Sequence, residues 1–151
     1  HQGNATSTNA TTVLIGIHIR RGDMLAVEAY EIPGMEYYQR AMEYYQALYS
    51  PNNDVHFLIA SDDKNWCHSN FRKHINDTTT TVLPNGLSPS MELHILSQCR
   101  HVITSVGTFG WWSAYLSQSD EAIYPIKAYG NKDWWTTERL QSFLPPTWKG
   151  L

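Results

Sequence analysis

The sequence predicts an α/β domain built on a Rossmann-like, doubly wound parallel sheet. Three observations carry this. Short β-branched runs alternate with helix-patterned stretches, each run ends in charge, hydroxyls or glycine, and the intervening stretches are long enough for parallel crossovers. With 151 residues there is room for one domain and a sizeable core. A content of 42% hydrophobic and 17% charged residues excludes a disordered or fibrous chain. With 11 basic against 14 acidic residues the net charge is −3, so no general basic field exists to hold a nucleic acid, and any anion must be met by local chemistry.

Residues 1–12 are rich in Thr and Asn and read as a polar linker, which leaves 13–151 as the domain. Residues 13–19, Val-Leu-Ile-Gly-Ile-His-Ile, end abruptly in charge and form a buried strand that delivers polar residues to a loop. Over 36–49, Tyr38, Met42, Tyr45 and Tyr49 recur with helical period between Pro33-Gly34 and Pro51. A second strand, 56–60, leads into Ser61-Asp62-Asp63, whose carboxylates can cap a helix running to Phe71, and 81–83 is a third strand. Ser88-Pro89 opens a helix reaching Gln98, with Met91, Ile95 and Leu96 facing inward. A fourth strand at 101–105 enters a Gly107-Thr108-Phe109-Gly110 turn, an aromatic helix follows at 111–116, and 122–124 is a fifth strand. From 126 onward, Trp134-Trp135, Pro145-Pro146 and Trp148 suggest a short helix and cap packing back on the domain.

Three clusters at strand ends carry candidate chemistry. In His18-Ile-Arg-Arg-Gly-Asp23, strand alternation puts His18 and Arg20 on one face, and two adjacent guanidiniums followed by a glycine leave room for a bulky anion. An arginine fork matches phosphate oxygens and stays charged, so it can take over the work of a cation. The plainer alternative is a solvated strand end in which Arg21 pairs with Asp23. Arg21-Gly22-Asp23 also spells the tripeptide that integrins read, but after a core strand rather than in a protruding loop. In Ser105-Val-Gly107-Thr108-Phe109-Gly110, a strand-to-helix turn offers free backbone N–H groups and hydroxyls to a phosphate, or is an ordinary tight turn; it lacks the lysine of a Walker A loop. Asp62 could accept the N1–H and exocyclic amine of guanine, or share with Asp63 in capping a helix. No metal-ligand spacing is present, and Cys67 and Cys99 are either bridged or two buried thiols.

The chain has no run of 18 apolar residues and begins at His1 without a signal peptide, so it reads as a piece of a longer protein. Sequons at Asn4, Asn9 and Asn76 favour a lumenal or extracellular setting.

The His18–Asp23 motif, the Trp66-Cys67 pair, and above all Leu96-Ser-Gln-Cys-Arg-His101 followed by Ser105-Val-Gly-Thr-Phe-Gly-Trp-Trp-Ser-Ala-Tyr-Leu116 resemble the galactoside α-1,2-fucosyltransferases, the inverting, metal-independent glycosyltransferase family eleven. The likeness runs from about Val13 to Leu144-Pro145. It implies the carboxyl-terminal, donor-binding lobe of a GT-B-like enzyme that moves fucose from GDP-β-L-fucose to the 2-hydroxyl of a terminal β-galactoside. It further implies a type II Golgi membrane protein whose anchor would precede His1, with the catalytic part lumenal. By the same resemblance Arg20 holds the pyrophosphate, Arg21 supports the loop, His18 lies near the nucleotide, and Ser105, Gly107, Thr108, Phe109 and Gly110 complete the phosphate site. Asp62 matches a guanine-reading position of the α-1,6 enzymes, and Glu28 matches their base in its spacing from His18, ahead of Asp23 as the acceptor's base. No cofactor or metal is expected. A donor- or glycan-binding module without turnover is the alternative class.

Overall fold

The computed structural model describes residues 11–117, 119–128 and 136–151. The expected linker at 1–10, with Asn4 and Asn9, and the Trp134-Trp135 pair lie outside the described residues.

Six parallel strands form one sheet: β1 (Thr11–Ile19), β2 (Asn53–Ser61), β3 (Thr80–Val82), β4 (His101–Ile103), β5 (Ile123–Tyr124) and β6 (Lys149–Gly150). Their order across the sheet is β3-β2-β1-β4-β5-β6, the doubly wound arrangement in which chain direction across the sheet reverses between β1 and β4. β1 begins two residues earlier than its apolar run, because Thr11 and Thr12 pair with Asn53 and Asp54. β6 escaped the sequence reading because two residues, Lys149 and Gly150, carry no strand periodicity. It forms because Ala122 and Tyr124 offer carbonyls to the N–H groups of Lys149 and Leu151.

Helices cover both faces of the sheet. On one, α1 (Met35–Tyr49) buries Tyr38, Met42 and Tyr45 against Ile15, Ile17 and Ile19 of β1 and Phe57 and Ile59 of β2, as its spacing requires. The expected helix from Asp63 to Phe71 is α2 (Lys64–Asn70), closed at buried Phe71, and a second short helix that the sequence did not announce, α3 (Arg72–Asn76), follows it. Asp63 is the α2 cap, accepting the Trp66 N–H at 3.0 Å.

On the other face lie α4 (Pro89–Ser97), α5 (Thr108–Leu116) and α6 (Thr137–Phe143). Gly16 of β1 lets α4 approach closely, since a Cβ there would stand 3.0 Å from Leu96 Cδ2. Met91 was expected inward and is instead exposed. The stripe of α4 under Leu96 is occupied one turn earlier by Glu92, whose charge is met by Lys64. The aromatic helix starts at Thr108 rather than at 111, so Thr108, Phe109 and Gly110 form its first turn instead of a loop. Cys67 and Cys99 are both free and buried; Cys67 belongs to the α1-side core while Cys99 lies against Gly16 on the α4 side.

Candidate functional site

The carboxyl ends of β1 and β4 meet at the switch point, where ligands of open α/β sheets bind. His18, on the α5 face of β1, is buried with its ring stacked on Phe109 at 5.0 Å. The backbone N–H of Arg20 donates to Ser105 Oγ at 2.9 Å, and that hydroxyl lies 3.2 Å from His18 Nδ1. The Ser105 hydroxyl thus ties the Arg20 backbone to the His18 ring, and its own proton can go either to His18 Nδ1 or to the Val106 carbonyl at 3.5 Å. Burial, with the Arg20 charge beside it, pushes the His18 pKa down to about 3, so the ring is neutral. Gly110 is packed against that ring, since a Cβ would stand 2.7 Å from Nδ1.

The two arginines part company after β1. Arg20 carries its guanidinium between Asp23 Oδ1 at 2.8 Å and Asp62 Oδ2 at 3.2 Å and reaches the cavity. Arg21 turns away, lies over the Trp66 ring at 4.3 Å and donates from Nε to Asp63 Oδ2 at 3.4 Å. The simple alternative of an Arg21–Asp23 pair is therefore replaced by Arg20–Asp23 and Arg21–Asp63. The Arg-Gly-Asp tripeptide is folded into the loop, with Arg21 tucked under the surface. Asp62 is the clamp of this loop: Oδ1 accepts the Arg21 backbone N–H at 2.9 Å, and a Cβ on Gly22 would collide with Oδ2 at 2.5 Å. Both carboxylate oxygens are thus engaged.

A cavity of about 570 Å³ opens over these groups. Of the expected site residues, His18, Arg20, Asp62, Gly107, Thr108 and Phe109 border it. Ser105 and Gly110 lie behind His18 and hold it, while Arg21, Asp23 and Glu28 are not on its wall. Asp23 begins a single 3-10 turn, Asp23–Ala26, and Glu28 is exposed on the segment that follows. Gly107 has φ 88° and ψ 167°, a region essentially closed to side chains, and it starts α5 without any side-chain cap. Gly107, Thr108 and Phe109 line the cavity, so the start of α5, its first N–H groups free of any side-chain cap, brings the positive end of the helix dipole to the cavity wall.

Sequence reasoning missed Met24, Pro89 and Glu92 on the cavity wall. Glu92 was hidden by its place in a helix, where an acidic residue in the first turn is unremarkable. Its Oε1 accepts from Lys64 Nζ at 2.8 Å, and both side chains are largely shielded from solvent. Among the described residues no group of three His, Cys, Asp or Glu side chains is arranged to hold a metal.

Compared with known proteins, residues 2–151 match the model of glycosyl transferase family 11. The chain belongs to this family. Among its curated relatives, the mouse galactoside 2-alpha-L-fucosyltransferase Sec1 is 28% identical over 99% of this chain and 41% of its own length. The pig galactoside alpha-(1,2)-fucosyltransferase 1 is 31% identical over 93% and 39%. The bovine galactoside alpha-(1,2)-fucosyltransferase 2 is 31% identical over 82% and 36%. This family 11 chain thus spans about two fifths of the length of the curated relatives it matches. A crystal structure of NodZ alpha-1,6-fucosyltransferase co-crystallized with GDP aligns with a TM-score of 0.48 and 17% identity, over 70% of this chain and 36% of that one.

Proposed function

We propose that this chain is the donor-binding part of an inverting, metal-independent galactoside α-1,2-fucosyltransferase. It would bind GDP-β-L-fucose for transfer of L-fucose to the 2-hydroxyl of a terminal β-galactoside. The observation that carries the reading is the convergence of Arg20 and the uncapped start of α5 on one switch-point cavity. Cleavage of the fucosyl bond leaves negative charge on GDP. A guanidinium fork and oriented N–H groups stabilise that charge more in the transition state than before it, which is what accelerates the step. Arg20 rests on Asp23 and Asp62, and a diphosphate would take over part of that pairing. Neutral His18 borders the cavity and offers the nucleotide a polar contact without adding charge.

The base-reading role passes in this proposal from Asp62 to Glu92. Asp62 has both oxygens on the arginine loop, whereas Glu92 borders the same cavity with its Oε2 free of any hydrogen-bond partner among the described residues. A carboxylate accepts the N1–H and 2-amino protons of guanine, a donor pair that adenine lacks. For the base that takes the acceptor's proton we retain Glu28 over Asp23. Asp23 is bound to Arg20, while Glu28 is exposed and has no ion pair among the described residues. Since neither borders the cavity, a donor-binding unit that itself turns nothing over is the second reading.

A transfer assay on the full-length protein separates the two. α-1,2-Fucosylated galactoside formed from GDP-fucose, undiminished by EDTA, is the expected result. Nucleotide binding without product supports the second reading, and activity lost in EDTA and restored by Mn²⁺ contradicts metal independence. We also place the whole protein in the Golgi membrane with this part lumenal, which imaging of the tagged full-length protein tests.

A further inference from the structure

Lys64 is the first residue of α2, and its side chain leaves the Asp63 cap to cross to α4, whose Glu92 borders the cavity. There Nζ donates at 2.8 Å to Glu92 Oε1 and at 2.7 Å to the backbone carbonyl of Pro84, in the loop between β3 and α4. The ammonium is thus pinned at two points, and the lysine and glutamate side chains are only 16% and 15% exposed. A glutamate on a cavity wall has three rotatable bonds, and a free one would sample orientations that point away from any ligand. Here Glu92 borders the cavity, Oε1 is fixed, and Oε2 is the oxygen with no hydrogen-bond partner among the described residues. The pair is also shielded, so its geometry is held by a charge-assisted bond rather than averaged by solvent.

We propose that Lys64 is a positioning residue for base selection: by holding Glu92 Oε1, it aims Oε2 at the hydrogen-bond donors on the edge of a guanine base. This rests on the reading of the cavity as a guanosine diphosphate site. It makes guanine preference a property of a contact between α2 and α4, with Lys64 itself touching no ligand. A lysine with a purely structural part would, when replaced, weaken all nucleotides alike through the fold. A positioning lysine changes the ratio between them.

The test is calorimetric titration of the full chain with GDP, IDP and ADP. IDP lacks the 2-amino group and ADP lacks both donors. Wild type is expected to favour GDP over ADP by about tenfold or more, because a site built to accept these protons leaves a buried carboxylate unpaired when they are absent. Lys64→Met is expected to weaken GDP about tenfold, leave ADP within about twofold, and erase the difference between GDP and IDP. Lys64→Arg, which restores a cationic donor, is expected to recover most of the preference. If Lys64→Met lacks a cooperative melting transition, Lys64→Gln, which keeps a neutral donor, replaces it with the same direction of change.

A folded Lys64→Met or Lys64→Gln with the wild-type GDP to ADP ratio overturns the role of Lys64. If Glu92→Gln then lowers that ratio, base reading by Glu92 stands without its lysine. If neither substitution moves the ratio, base reading by Glu92 falls as well. If wild type binds none of the three nucleotides, the nucleotide site itself is wrong and both proposals fall together.

Discussion

Arg20 is the proposed anion contact because it is the arginine left facing the cavity, while Arg21 is engaged by Trp66 and Asp63. A lysine at 20 keeps the charge but loses the planar fork, so Arg20→Lys is expected to cut GDP affinity about tenfold and turnover further. Near-normal donor kinetics would contradict that. Gly107, at φ 88°, and Gly110, under the His18 ring, tolerate no side chain for different reasons. Gly110→Ala is expected to cost about 1–3 kcal/mol in a urea melt by overpacking a ring already fixed by Ser105 and Phe109. His18 adds a pH dependence. Its folded pKa of about 3 lies below the 6.5 of the unfolded chain, so over that window the unfolded chain binds a proton the folded one refuses. The contribution of His18 is therefore present above pH 6.5 and is lost as pH falls toward 3, at about 1.4 kcal/mol per pH unit. The urea midpoint of His18→Asn should fall less steeply between pH 6.5 and 4 than that of wild type, and equal slopes would refute the assignment.

At the scale of elements, what the sequence disclosed was what local pattern encodes. The β1 run, the α1 tyrosine stripe, the Ser88-Pro89 start and the Asp63 cap all follow from side-chain periodicity and capping chemistry, and all are present. What it hid depended on partners distant in sequence. Glu92 faces inward because Lys64, 28 residues earlier, neutralises it, and that exchange of Glu92 for Met91 is invisible to a hydrophobic pattern. The start of α5 was placed late because glycines were read as loop, whereas Gly110 is small to admit His18 into the helix face. Nothing local to Asp62 shows that Arg20 and Arg21, some 40 residues earlier, hold its two oxygens. The Asp63 cap permits a test at this scale. Asp63→Ala is expected to cost about 1–2 kcal/mol and to loosen Arg21, whereas Asp63→Asn keeps most of the cap and loses only the ion pair. Equal losses from the two, read as urea midpoints, would mean that the cap is not what stabilises α2.

For the whole molecule, the doubly wound order explains why the site lies where it does. The reversal between β1 and β4 leaves a crevice between helices that depart to opposite faces, and the residues at both strand ends point into it. Everything assigned to the donor follows from that crevice: Arg20 from β1, the N–H groups of α5 after β4, and Glu92 from α4 beside them. The most direct test is calorimetric titration of GDP into this chain and into Arg20→Ala, with unfolding followed in parallel to confirm that both are folded. One-to-one binding that falls at least about tenfold in Arg20→Ala is the expected result, as removal of a charge-assisted phosphate contact requires. Equal affinity in the two proteins, or no binding of GDP by the folded wild-type chain, would contradict the assignment of the switch-point cavity as the diphosphate site.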